Sequence, residues 1–205
     1  MLLKAKEKKE RSLGTKLFLK SERCNSHKCA MVRRPYKPGV HGKSRKRGSL
    51  SEYGQQLLEK QKLKISYGIE ESQLRKIFRE AEKNVAIGQT VVNIIERRLD
   101  NVIFRTGLAG SRIVARQLVN HGHIFVNGKK MRTPSSVLRI GNVVSINPNS
   151  LSLLIFKDLP NTINKYNPPE WLEVNNEKLE GKIKNLPIDI EVPFDINMVV
   201  DYYSR

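Results

Sequence analysis

The hydrophobic pattern of the chain changes at Gly122 from a helical repeat to a strand repeat, and this change constrains the fold more than any other feature. Before it, apolar residues recur at helical spacing in four segments between residues 49 and 121. After it, His123 to Val126 lead into Asn127-Gly128, the strongest short-range signal for a β-hairpin. Val143 to Ile146 predicts a further strand. The sequence therefore predicts an α+β protein with a small antiparallel sheet.

Local start and stop signals bound the four helical segments. The first begins with a capping box at Ser49 and ends near Gly68. Ser72 is a candidate N-cap for the second helix, and the first two helices are predicted to pack as an antiparallel pair. The third helix is predicted over residues 90–105, and Ser111 is the candidate N-cap of the fourth.

These patterns divide the chain into four segments. Residues 1–48 are basic and punctuated by glycine and proline, so they are predicted to be a largely irregular extension. Residues 49–89 hold the first helix pair, and residues 90–155 combine two helices with the small sheet in a compact module. Residues 156–205 are interpreted as a linker followed by an apolar tail that docks onto another domain.

Positive charge is concentrated in the N-terminal part of the chain. The protein has 38 Lys and Arg against 20 Asp and Glu, a formal net charge of +18. Residues 1–50 contain 16 of the basic residues and 3 acids, whereas residues 151–205 contain 6 and 9. A polarised cationic surface concentrates phosphate-binding capacity, which favours a nucleic-acid partner. A solvated basic tail without a dedicated partner is the alternative for the first 50 residues.

Other classes of function are disfavoured. Cys24 and Cys29 suggest a zinc site, but a structural site needs four ligands, so we predict no bound metal and no other cofactor. His121 and His123 lack a nucleophile or an orienting carboxylate nearby in sequence, and no phosphate loop or nucleophile elbow is present. We therefore predict that the protein is not an enzyme and has no small-molecule substrate. The absence of a long apolar segment and of a disulfide framework predicts a cytosolic protein without membrane contact.

Several motifs carry a resemblance to a known family. RRLDNVIFRTG at 97–107, SR at 111–112, ARQLV at 115–119, HGHI at 121–124 and VNG at 126–128 closely resemble the RNA-binding module named after bacterial small-subunit ribosomal protein S-four. The flanks resemble the ribosomal protein family itself, in KLFLK at 16–20, PGVHG at 38–42, LSEYG at 50–54, LEKQK at 58–62, YGI at 67–69 and YSR at 203–205. The likeness runs nearly end to end in the same order.

The resemblance implies a fold, a function and a set of partners. The implied fold is a helical N-terminal domain completed by the C-terminal segment, with the RNA-binding module inserted. Members bind the five-prime domain of small-subunit rRNA and nucleate assembly, lie beside ribosomal proteins S-five and S-three near the mRNA entry path, and influence decoding accuracy. Some repress translation of their own operon. The implied location is the small ribosomal subunit of the cytoplasm or of an organelle.

The resemblance also bears on the cysteines. Some members of the family hold zinc on four cysteines, and the second pair looks like Cys24 and Cys29. Here Glu7 and Glu10 replace the upstream pair, which implies a dismantled site.

The candidate RNA-binding residues are basic or polar side chains of the extension, the helix faces opposite the core, and the hairpin. Lysines and arginines are predicted to bind phosphates, and amides to bind ribose or base edges. The set is Arg33, Arg34, Lys37, His41, Lys43, Arg45, Lys46, Arg47, Lys60, Lys62, Arg75, Arg79, Arg98, Asn101, Arg105, Ser111, Arg112, Arg116, Gln117, Asn120, His121, Lys129, Lys130 and Arg132.

Two alternatives carry the same module, an RNA-modifying enzyme and a heat-shock-type RNA chaperone. About 90 N-terminal and about 50 C-terminal residues lie outside the module, which is short of an ordinary catalytic domain. The N-terminal motifs also match the ribosomal flanks, which disfavours a free chaperone.

Overall fold

The computed structural model of the protein describes residues 6–44, 49–157, 159, 163, 166–188 and 190–204, with the backbone alone at positions 21 and 22. The chain divides into two compact units. Unit 1 comprises residues 1–91 and 191–205, and unit 2 comprises residues 92–190. The predicted fold class is confirmed, because unit 1 is helical and unit 2 combines helices with an antiparallel sheet.

Helices precede the first strand of the described chain and also follow the last one. In chain order, the helices are α1 (Lys6–Leu13), α2 (Ser21–Asn25), α3 (Ala30–Arg33), α4 (Glu52–Tyr67), α5 (Glu71–Ala81), α6 (Ile87–Glu96), α7 (Leu99–Arg105), α8 (Arg112–His121), α9 (Leu154–Lys157) and α10 (Ile196–Tyr203). The strands are β1 (Ile124–Val126), β2 (Lys129–Met131), β3 (Val143–Ile146), β4 (Leu172–Asn175) and β5 (Glu180–Ile183). Single 3-10 turns are formed by Val40–Lys43 and Pro148–Ser150.

Helix α10 packs against both α4 and α5 in unit 1, whereas the predicted packing of α4 and α5 as an antiparallel pair is wrong, because few residues of these two helices approach each other. The apolar stripe predicted for the second helix is confirmed on α5, where Leu74, Ile77, Phe78 and Ala81 are buried. The ring of Tyr203 on α10 stacks on Phe78 with the ring centroids 4.3 Å apart. The C-terminal segment therefore completes the helical unit.

Of the three predicted N-cap residues, one is confirmed. Ser111 caps α8 through its side-chain oxygen, as predicted. Helix α4 begins after Ser51 and not after Ser49 as predicted. Both serines offer a capping oxygen, so the sequence pattern does not distinguish between them. Helix α5 follows Glu70, and Ser72 lies within its first turn.

The prediction that residues 1–48 are largely irregular is corrected by the structure, since the described part contains α1, α2 and α3. These helices have four to eight residues and are mostly polar, so no apolar stripe marks them in the sequence. Glu10 on α1 is fully buried, and its Oε1 accepts backbone hydrogen bonds from Leu17 at 3.0 Å and Leu19 at 3.1 Å. One buried side chain thus fixes the chain that follows α1.

The sheet of unit 2 is antiparallel, with strand order β2-β1-β3-β5-β4. The predicted hairpin is confirmed: Asn127 and Gly128 have φ of 49° and 76°, as a two-residue turn of positive φ requires. Ile124 of β1 and Val144 of β3 are fully buried, whereas the lysines of β2 are exposed. The sheet therefore has a core face and a cationic edge.

The C-terminal boundary of the module differs from the prediction. Residues 156–205 are predicted to form a linker and a returning segment, but unit 2 extends to residue 190 because β4 and β5 join the sheet beside β3. Trp171, Leu172 and Ile183 are buried in the unit's core. Strands of four residues within a stretch rich in proline and asparagine give little alternation, so the sequence does not reveal them.

The predicted helix over residues 90–105 is interrupted. It forms α6 and α7, and the break lies where residues 97–99 bond to a later loop: Leu138 N donates to Arg97 O at 2.9 Å, and Leu99 N donates to Ser136 O at 2.8 Å. Bonds to a segment about 40 residues away are tertiary contacts, which helical periodicity does not encode.

Gly181 on β5 supplies a test of this packing. A Cβ atom at this position would lie 2.4 Å from Cγ2 of Thr106, so we expect Gly181→Ala to destabilise unit 2 by about 1–3 kcal/mol through overpacking. Thr106→Ser removes that methyl group and keeps the hydroxyl that donates to Ile103 O. Combining the two changes should recover most of the loss in urea unfolding experiments. A double variant as unstable as Gly181→Ala alone would contradict this contact.

Candidate nucleic-acid interface

The predicted binding residues fall into three groups by exposure. Arg45, Lys46 and Arg47 lie outside the described residues. Those with exposed side chains are Arg33, Arg34, His41, Lys43, Arg75, Arg79, Gln117, Asn120, His121, Lys129, Lys130 and Arg132, and those partly buried are Lys37, Lys62, Arg105, Arg112 and Arg116. Lys60, Arg98, Asn101 and Ser111 are buried, so direct contact with RNA is not available to them in this conformation.

A cationic cleft of about 560 Å³ lies in unit 1. Among the residues that the structure describes, eight basic side chains line it, namely Lys6, Lys8, Arg11, Lys20, Arg23, Lys28, Arg33 and Arg34, together with one acid, Glu7. The Glu7 carboxylate is paired with Arg23 Nε at 2.7 Å and lies 3.5 Å from Lys20 Nζ. The cleft therefore retains a large excess of positive charge, which suits the phosphates of a nucleic-acid backbone.

Backbone carbonyl groups fix Arg11 in the cationic cleft. Its Nε donates to Arg34 O at 3.0 Å, and its Nη2 donates to Tyr36 O at 2.9 Å. The guanidinium group also lies over the ring of Tyr36, 4.9 Å from the centroid. A guanidinium held in this way loses little conformational freedom when a ligand binds.

Sequence reasoning found two of the eight cations of the cleft, Arg33 and Arg34. It missed Lys6, Lys8, Arg11, Lys20, Arg23 and Lys28, because they are spread along a segment that is predicted to be irregular. The charge density of residues 1–50 was the available signal, but only the folding of α1, α2 and α3 brings the side chains together.

A second cationic surface lies in unit 2, where the hairpin meets the end of α8. Gly122, in the left-handed conformation, ends α8, and a Cβ atom there would lie 2.3 Å from Lys130 Cε and 3.2 Å from Arg132 Nε. The flexible ends of the Lys130 and Arg132 side chains therefore lie against the backbone at this end of α8. The structure thus brings the predicted cations Lys130 and Arg132 beside the exposed His121.

The sequence predicts a cationic ridge on α8, formed by Arg112, Arg116 and Asn120, but both arginines belong to an ion-pair network in the structure. We call it the arginine network, and its members are Glu96, Arg98, Asp100, Asn101, Arg105, Arg112 and Arg116. Arg98 donates to Asp100 through Nε at 3.2 Å and Nη2 at 3.1 Å, and Arg116 Nε donates to the same carboxylate at 3.0 Å. The Arg98 and Asp100 side chains are 5% and 4% exposed. Arg98 is therefore a structural cation.

The other half of the arginine network centres on Glu96, whose side chain is fully buried. Arg105 donates to it through Nε at 3.0 Å and Nη2 at 2.9 Å, and Asn101 Nδ2 donates to Oε2 at 2.6 Å. Asn101 Oδ1 in turn accepts from Arg112 Nε at 2.7 Å. Asn101 thus serves the protein and not a ribose or base edge.

Sequence reasoning missed the two acids of the arginine network. Glu96 and Asp100 were visible beside the arginines, but helical periodicity does not separate an RNA-facing ridge from an internally paired one. Ser111 is likewise committed, because its side chain caps α8.

The predicted sites on α4 also have partners within the protein. Lys60 Nζ is buried 3.1 Å from Glu71 Oε1, and it lies over the Tyr202 ring at 4.3 Å from the centroid. Lys62 is paired with Glu59 at 2.6 Å. Lys60 is therefore not a phosphate-binding lysine in this structure, a correction that follows from the docking of α10 beside α4.

Glu71 is the centre of this cluster in unit 1. Burial disfavours its ionised form, but hydrogen bonds from Lys64, Tyr203 and Lys60 outweigh burial and lower the pKa of Glu71 to about 2. Burial, together with the hydrogen bond that its hydroxyl donates to Glu71 at 2.8 Å, raises the pKa of Tyr203. At neutral pH the carboxylate of Glu71 is charged, and it ties α4, α5 and α10 together.

The two cysteines are free and buried. The thiol of Cys24 lies 4.0 Å from Glu10 Oε2, and burial raises the pKa of Cys24. The carboxylate of Glu10 is committed to backbone amides, and that of Glu7 to Arg23. Within the described part of the chain, no cluster of three or more His, Cys, Asp or Glu could hold a metal ion. Among those same residues, no helix combines the length and apolar character needed to cross a membrane.

Comparisons with known proteins bear on these surfaces. Residues 2–96 match the family model of the Ribosomal protein S4/S9 N-terminal domain, and residues 97–144 match that of the S4 domain. The small ribosomal subunit protein uS4 of Halothermothrix orenii is 47% identical over 195 residues, which are 94% of this chain and 93% of that protein. With the same coverage, uS4 of Caldicellulosiruptor bescii is 46% identical and uS4A of Alkaliphilus metalliredigens is 47% identical. Identity of this extent along both units shows that the chain belongs to the family of small ribosomal subunit protein uS4.

Proposed function

We propose that this chain is a structural constituent of the small ribosomal subunit and a primary binder of the five-prime domain of small-subunit rRNA, where it nucleates assembly. The cationic cleft is the main support for the proposal. Its eight basic side chains surround one space, and this concentration of positive charge suits the phosphates of a nucleic-acid backbone better than a small-molecule substrate. Its relatives across 94% of the chain are named as proteins of that subunit.

Both units contribute to the proposed RNA surface. In unit 1 the cleft and the exposed Arg33, Arg34, His41 and Lys43 bind the sugar-phosphate backbone, with Arg75 and Arg79 on α5 as further contacts. In unit 2 the contacts come from the hairpin and the exposed side of α8. A-form RNA is recognised mainly through its shape, phosphates and ribose hydroxyls, so cations spread over two units suit a scaffold that binds several rRNA helices.

The finer parts of the proposal rest on the family. We propose that the protein lies beside ribosomal proteins S-five and S-three near the mRNA entry path in cytoplasmic ribosomes, contributes to translational accuracy with S-five, and represses translation of its own message. A catalytic role is disfavoured, because the matched relatives are named as ribosomal proteins. The same names disfavour an RNA-modifying enzyme and a free RNA chaperone.

A salt titration of binding tests the proposal. Full-length protein is titrated with a transcript of the five-prime domain of small-subunit rRNA and, separately, with an unrelated structured RNA of equal length. We expect the rRNA to bind at least about 1000-fold more tightly, with the preference persisting as salt rises. Equal affinities that fall together with salt would contradict the proposal, because they would show general polyanion binding by a chain of net charge +18.

A further inference from the structure

We propose that Phe18 is a stacking residue that binds an unpaired base of the rRNA at the edge of the cationic cleft. Phe18 is the central residue of the KLFLK motif at 16–20. The inference rests on the proposed rRNA-binding function and deepens it, because it adds a contact with a base where the cleft offers contacts with phosphates. Three features of Phe18 support it: a strained backbone, an exposed ring and a neighbouring cation.

The backbone of Phe18 lies in the left-handed region, with φ of 54°. A buried carboxylate holds the chain in this conformation, since Oε1 of Glu10 accepts hydrogen bonds from the backbone N of Leu17 at 3.0 Å and of Leu19 at 3.1 Å. The left-handed region is strained for a bulky side chain, whereas glycine and asparagine adopt it readily. The backbone conformation therefore does not favour phenylalanine at this position.

Burial does not explain the phenylalanine either. In the described part of the chain, three residues other than glycine have positive φ, and Asn127 is of a type that tolerates this region. Leu179, with φ of 52°, is buried in the core of unit 2, where packing offsets the strain. Phe18 is 49% exposed, although the leucines on both sides of it are buried. A bulky residue in a strained conformation that the core does not require points to a function of its side chain.

The surroundings of the ring favour RNA over an apolar protein surface as the ligand. The ammonium group of Lys16 lies over the ring, 4.7 Å from its centroid. An apolar partner would have to remove water from this ammonium group, whereas a phosphate of RNA would pair with it. Lys20 lines the cationic cleft, and its Cα lies at most about 7 Å along the chain from that of Phe18. Unpaired RNA bases stack on exposed aromatic rings, so a base next to bound phosphates fits this position.

Replacement of the ring tests the proposal. Phe18→Asn removes the ring and suits the left-handed backbone, whereas Phe18→Leu keeps an apolar side chain without an aromatic face. We expect each variant to bind the five-prime domain transcript about tenfold more weakly, on the scale of one lost base stack. Phe18→Tyr keeps the aromatic face and should bind as the parent does. No cation is lost, so the slope of log affinity against log salt should not change.

The assay contains only protein and RNA, so an aromatic ring that serves a neighbouring protein would leave the affinity unchanged. Unchanged binding by both Phe18→Asn and Phe18→Leu would therefore overturn the proposal. A loss of affinity with a shallower salt slope would also overturn it, because that result would assign the effect to a phosphate contact of Lys16. Val85→Asn is the matched control, because it removes an exposed apolar side chain of unit 1 that does not line the cleft, and it should bind as the parent does.

Thermal unfolding separates stacking from a structural role. Phe18→Asn relieves the strained backbone but loses the part of the ring that packs on the protein, and these effects oppose each other. The midpoint of unfolding should therefore move by no more than about 3 °C. If Phe18→Asn is strongly destabilised, the comparison of Phe18→Leu with Phe18→Tyr decides, and equal affinities of these two variants would overturn the proposal. A parent protein without preference for rRNA would instead contradict the proposed function itself.

Discussion

Reversing the charge of Arg33 and Arg34 together, as Arg33→Glu with Arg34→Glu, is expected to lower the affinity for the five-prime domain of rRNA by about 100- to 1000-fold at about 0.1 M salt. Both side chains are exposed and line the cationic cleft. Each replacement removes a phosphate-binding cation and adds a carboxylate that repels the same phosphate. The slope of log affinity against log salt should become shallower by about two, one for each lost phosphate contact. Fluorescence anisotropy of labelled RNA over a salt series measures both quantities.

The matched control for this prediction reverses the same amount of charge outside the proposed RNA surface. Lys178 and Lys184 of unit 2 are exposed and do not line the cleft, so Lys178→Glu with Lys184→Glu should lose only the general electrostatic attraction, about tenfold or less. The fold should survive in both variants, because Arg34 contributes its backbone carbonyl, and not its side chain, to the contact with Arg11. Equal losses in the two variants would show that the cleft has no special role.

The elements that were predicted from the sequence are those whose signals are local. The stripe of α5, the cap at Ser111 and the Asn127-Gly128 turn each depend on residues within a few positions of one another. Strands β4 and β5 were not predictable in the same way, because β5 pairs with β3, β4 pairs with β5, and the neighbouring Trp171 is buried in a core that residues far away in the sequence form. The split of α6 from α7 has the same origin, since its cause is the loop around Ser136.

The candidate site divides along a similar line. Composition and motifs predicted which segments of the chain contribute cations to the surface. The hairpin lysines Lys129 and Lys130, for example, are exposed as predicted. The partners of individual cations were not predictable. Arg98 and Lys60 have the same charge and periodicity as surface residues, but the tertiary fold buries both of them, and they pair with Asp100 and Glu71. Conversely, Lys6 and Lys28 join the cleft only because α1 and α3 fold against each other.

The anchoring of α10 by Glu71 leads to the second large effect. We expect Glu71→Gln to destabilise the protein by about 2–3 kcal/mol at about pH 7, a value reduced for the 30% exposure of the Glu71 side chain. The loss arises because Lys60, whose side chain is 6% exposed, is left without its counter-charge, and because Lys64 and Tyr203 lose their acceptor. Urea unfolding followed by circular dichroism measures the change, since the helices of unit 1 contribute strongly to that signal.

The pH dependence separates the charge of Glu71 from its packing. The pKa of Glu71 is about 2 in the folded protein, against an ordinary value of 4.5. The native state therefore binds a proton at Glu71 less readily than the unfolded state does. The ionised carboxylate therefore stabilises the fold fully above about pH 4.5, and this contribution declines as the pH falls from 4.5 towards 2. The Glu71→Gln variant has no such group, so its free energy of unfolding should fall less steeply than that of the parent over this range.

Removing the stranded cation as well, in Glu71→Gln with Lys60→Met, should restore part of the stability at neutral pH, whereas Tyr203→Phe should cost only about 1 kcal/mol. Parallel acid slopes for the parent and Glu71→Gln would show that some other carboxylate, and not Glu71, holds α10 in place.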